Sequence, residues 1–314
     1  MSRKPPKPGS SKSSVVQIPP VPKTLEHVIS RSTDPWIKSL HAGIKNLNDF
    51  SAHLPHKYVW RFKNVEAFNA EVAEALTTAT DMLPVNQIYW RDVLANCEAF
   101  SLLTTWRTVD AARSCSWALA RGDLLGAVLL ARSALENVVQ YVDGVRQISA
   151  TITGASNSAE SKGVLDRAID IKMNAVSSTE LEEYLLKTIF GTRLPGTEDF
   201  YQSFNVVGII KRVAKVPHQG RVAEIYDLLS EVAHPNFNGR AFHIQEGKPG
   251  RRPGEHLRTI GPGYGPSAGS MTEAILWALS WSCHTNITAF QLMSQTIKTT
   301  AARFEIKPTV RTAS

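Results

Sequence analysis

LLGAVLLARSALENVVQYVDGV, residues 124–145, decides the fold. Leu124, Val128, Ala131, Leu135, Val138, Val142 and Val145 recur at spacings of four and three, so they line one side of an α-helix as a buried seam. Just before it, Gly122 is suited to end a helix and Asp123 to cap the next. Upstream, helical periodicity runs from Asn86 to Ala120, with Val93, Cys97, Phe100 and Leu103 on one side. The two segments are predicted to form an antiparallel hairpin across Arg121-Gly122-Asp123.

Working outward, Asp34-Pro35 is an N-cap followed by proline at the first helical position, opening a helix to about Ser51. A further helix is predicted from Val65 to Met82, stopping before Pro84. After a loop at 153–163, shorter helices are expected at about 164–176, 179–190, 201–215 and 219–234. The last ends at His234, because the residue before Pro235 is driven out of the α region. Residues 235–270 hold eight glycines and five prolines, which excludes a continuous helix there. Ala241–Gln245 and His256–Ile260 can pair as a small hairpin across the intervening Gly/Pro turn region. A long C-terminal helix then runs from Met271 to Arg303 on Ile275, Leu279, Cys283, Ile287, Phe290, Met293 and Ile297. The expected fold is all-α: an antiparallel helical bundle, residues 31–304, with a Gly/Pro-rich loop or small β-hairpin inserted at 235–270. Residues 1–30 are expected to be a disordered, basic, Pro-rich tail and residues 305–314 a flexible end.

The 314 residues are 43% hydrophobic, enough for a large core and not the composition of a disordered chain. Net charge is +7, but residues 1–23 hold five bases (Arg3, Lys4, Lys7, Lys12, Lys23) and no acid. The remainder has 30 bases against 28 acids, so the folded body is nearly neutral and is not marked by charge as a nucleic-acid binder. Cys97, Cys115 and Cys283 form no CxxC pair, and Cys97 and Cys115 lie about 27 Å apart along one helix at 1.5 Å per residue. All three are expected to be reduced core thiols, as in a cytoplasmic protein. No apolar run approaches the roughly 20 residues that cross a bilayer, and the basic N-terminus is followed by no apolar signal segment, so no membrane association is expected.

Three constellations carry candidate chemistry. Arg132 and Glu136, four apart, stack on one helix face whose stripe includes Leu125, Leu129 and Val139. That stripe predicts a half-buried groove, with Ser133 beside the pair; an ion pair that merely packs two helices is the plainer alternative. Asp227, Ser230 and His234 share a face of the 219–234 helix, with Tyr226 beside them and Asn236 and Arg240 just beyond. A carboxylate and a hydroxyl on successive turns can orient the imidazole, although a histidine at a helix C-terminus also simply meets the dipole. Trp277, Trp281, His284 and Thr288 share a face of the last helix, either as core or as a stacking wall for a base. Arg240, Lys248, Arg251, Arg252 and Arg258 in the loop are available for phosphate contacts. No phosphate loop, dinucleotide fingerprint, zincin motif or nucleophile elbow is present, and the nine histidines show no metal-ligand spacing, so no metal and no cofactor are expected.

At two of these segments the chain resembles a group of poorly characterised bacterial all-helical proteins. In that group an Arg-Ser-x-x-Glu helix, here Arg132, Ser133 and Glu136, precedes a Leu-Ser-x-x-x-His-Pro helix end, here Leu229, Ser230, His234 and Pro235. The resemblance spans about 115–240 and is distantly similar to the HEPN domains of toxin–antitoxin and phage-defence systems. Many of those are metal-independent ribonucleases that use an arginine and a histidine four to six residues later. No arginine stands there before His234, so the resemblance would have Arg132 act from the other helix. The expected function is a helical binding module linked to defence or stress, with a polar groove for a nucleotide, RNA or protein partner, a second copy of the chain included. The alternatives are a metal-independent HEPN-like ribonuclease, with His234, Arg132 and Glu136 catalytic, and a structural protein with no small-molecule site. Ser133, Tyr226, Asp227, Ser230, Asn236 and Arg240 are the expected binding residues.

Overall fold

Asp34 accepts hydrogen bonds from the amides of Trp36 (2.8 Å) and Ile37 (3.4 Å), and Pro35 brings a preset φ to the first helical position. The helix they start, α2 (Pro35–Lys38), follows α1 (Glu26–Arg31), breaks at Ser39 and resumes as α3 (Leu40–Ala52). The computed structural model describes residues 17–61, 63–154, 163–165, 167, 170–217, 219–234, 237–241, 243–249, 252, 254–261, 264–265 and 268–307. Next come α4 (Val65–Thr78), α5 (Leu83–Ala120), α6 (Leu124–Thr153), α7 (Thr179–Phe190), α8 (Val206–Ala214), α9 (Arg221–Ala233) and α10 (Phe237–Ala241). Strands β1 (Ile244–Pro249) and β2 (His256–Ile260) form an antiparallel hairpin, and α11 (Ala268–Arg303) closes the order. The protein is all-α apart from that hairpin.

The long helices α5, α6 and α11 each pack against the other two. Gly122, at φ 72°, turns the chain between α5 and α6, and Asp123 accepts from the Gly126 amide at 2.8 Å to cap α6. The α6 seam is buried as its spacing demands, with Val128, Ala131, Leu135 and Val138 at 0% exposure. Burying side chains of this size contributes about 1.5–3 kcal/mol each for the larger ones. Two core clusters lie along the three helices. One joins the N-terminal half of α6 to α3, α8, α9 and the start of α11, and the other joins its C-terminal half to α7 and the end of α11. Cys97, Cys115 and Cys283 are buried free thiols, and burial pushes each up to about 12. Among the described residues no helix is long and apolar enough to cross a membrane.

Several boundaries differ from expectation, each for a local reason. The tail expected over 1–30 does not reach 30: Ile18 (2% exposed) and Val21 (4%) are buried in the first cluster, and a 3₁₀ turn and α1 follow. Asn48 clamps the Ile18 backbone, accepting from its N–H at 2.8 Å and donating to its C=O at 2.9 Å. At the other end Ile306 rests on the second cluster while Glu305 and Lys307 are exposed; residues 1–16 and 308–314 lie outside the described residues. The helix expected to run to Met82 stops at Thr78, because Asp81 accepts from the Leu83 amide at 2.9 Å and starts α5 early. Leu103 is 55% exposed rather than seamed with Val93, because ten residues at about 100° each carry it roughly 80° round the helix. No helix occupies the described residues of 164–176; turns there bond to α5 instead. The hairpin forms, but its first strand is Ile244–Pro249 rather than 241–245, with a bulge between Ile244 and Glu246.

Candidate functional site

Residues 132, 136, 140 and 143 follow one another around α6 at helical spacing and are all polar, in a helix whose other faces are covered by α5, α11 and α9. Arg132 is the best-defined member. Its side chain is 22% exposed, its Nε donates to Glu136 Oε1 at 3.0 Å and its Nη2 donates to the Tyr226 hydroxyl at 3.3 Å. The guanidinium also lies over the Tyr226 ring, 5.3 Å from its centroid. Burial works against the Arg132 charge, and the Tyr226 hydroxyl and Glu136 outweigh it, so the group holds its proton more tightly than a free arginine. The Nη1 hydrogens have no acceptor among the described residues. The result is a fixed, half-open cation with donors to spare, suited to an oxyanion.

Tyr226 is buried, at 6% exposure on the core side of α9, one turn before Ser230 on the same face. The reason is Arg132, which gives the phenol a partner across the helix interface. Asp227 is exposed. Ser230 is half-buried, and its hydroxyl is buried with no hydrogen-bond partner among the described residues. Ser133 is half-buried on the α6 stripe. His234 is the C-cap of α9, its amide bonded to the Ser230 carbonyl at 3.1 Å and its side chain exposed. Eight residues separate it from Tyr226, about 12 Å along the axis. Arg132, Glu136 and Tyr226 are therefore brought together, while no contact among the described residues joins His234 to them. Arg240 is exposed on α10; Asn236, with Pro235, lies outside the described residues.

The polar stripe continues past Glu136 to residues that sequence reading misses. Asp143, 5% exposed, accepts from Arg212 of α8 through Nε at 3.2 Å and Nη2 at 2.7 Å. A small cleft of about 50 Å³ is lined by Gln140 of the same stripe with Tyr184, Lys187, Ser203, Phe204 and Ile209. Burial, then Asp143, pushes the Tyr184 phenol well above its ordinary value, so it stays a neutral hydrogen-bonding group. A signal exists in the sequence: four polar residues on one stripe of a mostly apolar helix. Their second partner, Arg212, comes from a helix about 70 residues on, which periodicity alone does not pair.

The tryptophan face is core. Trp277 and Trp281 are 1% and 0% exposed, stacked at 6.1 Å, with Trp36 edge-on to Trp277 at 6.4 Å. His284 contacts the Ser39 carbonyl at 3.2 Å, and Thr288 bonds to the His284 carbonyl at 3.2 Å. No surface remains on these rings for a base. Among the described residues no group of three His, Cys, Asp or Glu side chains is placed to hold a metal ion. Comparison with protein-family models, curated proteins and solved structures finds no match for this chain.

Proposed function

We propose that this protein is a helical binding module that captures a partner bearing an oxyanion, a nucleotide or RNA phosphate or a protein carboxylate, on the polar stripe of α6. The observation that carries this reading is Arg132. It is immobilised by Glu136 and Tyr226, yet keeps its Nη1 hydrogens directed to no described acceptor. Ordering the side chain in advance also removes the rotamer cost that a ligand would otherwise meet. Ser133, half-buried on α6, adds hydrogen-bonding capacity beside the pair.

The test is calorimetric titration with nucleoside phosphates and a short RNA, in EDTA, with cleavage scored in the same samples. Wild type is compared with Arg132→Ala, Arg132→Lys and His234→Ala. The expected result is binding without cleavage, weakened about tenfold or more by Arg132→Ala, since a hydrogen bond to a charged group contributes about 1.5–3 kcal/mol. Arg132→Lys recovers only part, because an ammonium cannot reproduce the planar fork. His234→Ala leaves the binding of nucleoside phosphates unchanged and weakens only the RNA, which is long enough to reach the imidazole about 12 Å away. RNA cleavage abolished by both Arg132→Ala and His234→Ala would replace this reading with the metal-independent ribonuclease, His234 acting as general acid or base.

A further inference from the structure

The cleft lined by Gln140 holds a second cation with donors to spare. Lys187, in the last turn of α7, is half-buried against it, and its ammonium makes no hydrogen bond or ion pair among the described residues. Glu183, one turn earlier on α7, is exposed and does not pair with it. A lysine in the last turn of a helix meets the carbonyl end of the dipole, but this one is also walled in. Gly191 lets the wall close. A Cβ there would stand 2.1 Å from the Lys187 carbonyl and 2.9 Å from Ser203 Cα, so a larger residue would push the 201–204 segment away from the end of α7. That segment is held by the Thr192 amide donating to the Tyr201 carbonyl at 2.8 Å and the Ser203 amide donating to the Thr192 carbonyl at 3.1 Å.

The charges nearby do not cancel the lysine. Asp143, the carboxylate that acts on Tyr184, is already matched by two N–H groups of Arg212. Arg193 donates to the carbonyl of Phe204, a lining residue, at 3.4 Å and makes no ion pair among the described residues. The carbonyl end of α7 and the amide end of α8 both border the cleft, so their dipoles largely offset. The groups left over are donors: the Lys187 ammonium, the Gln140 amide and the Ser203 hydroxyl. Size narrows the ligand further. A volume of about 50 Å³ takes about three to five water-sized spheres at about 10–15 Å³ each, which is room for one phosphate group and not for a nucleoside.

We propose that this cleft binds a single phosphate-sized oxyanion, with Lys187 as its countercharge and Gln140 and Ser203 as neutral donors. Arg132 lies eight residues of α6 before Gln140, about 12 Å along the axis, so this site does not depend on it.

The experiment uses the full chain, inorganic phosphate and adenosine monophosphate, at an ionic strength held constant with chloride. Phosphorus NMR line broadening measures affinity, and acetylation at limiting reagent, read by mass spectrometry, measures protection of each lysine. Every variant is made in wild type and in Arg132→Ala, so loss at one site is not mistaken for loss at the other. Phosphate is expected to slow acetylation of Lys187 in both backgrounds and to leave Lys298, exposed on α11, unchanged. Lys187→Gln should weaken phosphate binding at least tenfold in the Arg132→Ala background, and Ser203→Ala severalfold. Lys187→Gln breaks no ion pair, so its Tm should stay within about 2 °C of wild type. Protection by inorganic phosphate alone identifies a free ion, and protection by adenosine monophosphate as well identifies the end of a larger ligand; either supports the site. The proposal is overturned if phosphate fails to protect Lys187, if Lys298 is protected equally, or if Lys187→Gln leaves affinity unchanged in the Arg132→Ala background.

Discussion

Asn86, at 1% exposure near the start of α5, joins that helix to a segment about 85–90 residues away. Its amide donates to the carbonyls of Ile171 (2.7 Å) and Asn174 (2.9 Å), and its Oδ1 accepts from the Val176 amide at 2.7 Å. Asn86→Ala removes all three bonds and leaves a buried N–H and two part-buried carbonyls without that partner. At about 1 kcal/mol for each group left unsatisfied, the loss is about 3 kcal/mol. A protein of this size loses roughly 2 °C of Tm per kcal/mol, so calorimetry should show a fall of about 6 °C. Asn86→Asp discriminates further. It keeps the acceptor for Val176 but turns a donor pair into a carboxylate facing two carbonyls, so it should destabilise more than alanine despite being nearly isosteric. Hydrogen exchange gives a local reading: the Val176 amide should lose protection in the alanine variant and keep more of it in folded aspartate protein. An alanine cost below about 1 kcal/mol, or an aspartate variant no worse than alanine, would refute the view that this side chain replaces helix hydrogen bonds in residues 170–178.

Three further outcomes are expected. Because burial holds the three thiols near 12, iodoacetamide at pH 8 should leave native protein unmodified and label three cysteines once it is unfolded; labelling without unfolding would contradict their placement. Arg212→Ala should cost about 2 kcal/mol and Asp143→Ala about half that in urea midpoints, since the first strands a buried carboxylate and the second frees an arginine that is 51% exposed. The reverse order would count against that reasoning. Gly43→Ala should lower Tm by a few degrees, because its Cβ would stand 2.9 Å from the His284 ring that bonds to Ser39, and a neutral result would mean that the ring moves freely.

The parts of the fold legible in the sequence are those set by local chemistry. Asp34-Pro35, Gly122-Asp123 and His234-Pro235 each mark a helix boundary because capping and proline sterics act within a few residues. The α6 seam is legible because seven apolar residues share one face. The failures are non-local. Residues 170–178 carry helix-compatible composition, but Asn86, Tyr89 and Trp90 offer their backbone better partners from α5, including Trp90 Nε1 to the Val176 carbonyl at 2.9 Å. Ile18 and Val21 read as tail because proline and lysine surround them, and only the Asn48 clamp, 30 residues away, shows that they are anchored.

The candidate site divides along the same line. Arg132 and Glu136 are legible as a pair because both lie on one helix. Sequence reading sets Tyr226 beside Ser230 on α9 but gives it no partner across the helix interface. Its burial is set by a cation on another helix, a contact of 94 residues' separation. That same contact separates the two functional readings by distance. A guanidinium held at Tyr226 is two turns of α9 from His234, about 12 Å at 1.5 Å per residue. Proton transfer at a phosphate and stabilisation of its charge need both groups within hydrogen-bonding reach of the same few atoms. Binding has no such requirement: a ligand about 12 Å long can touch Arg132 at one end and the exposed imidazole at the other. On the proposed binding reading, a ligand that spans both ends should bind more tightly than one that reaches Arg132 alone.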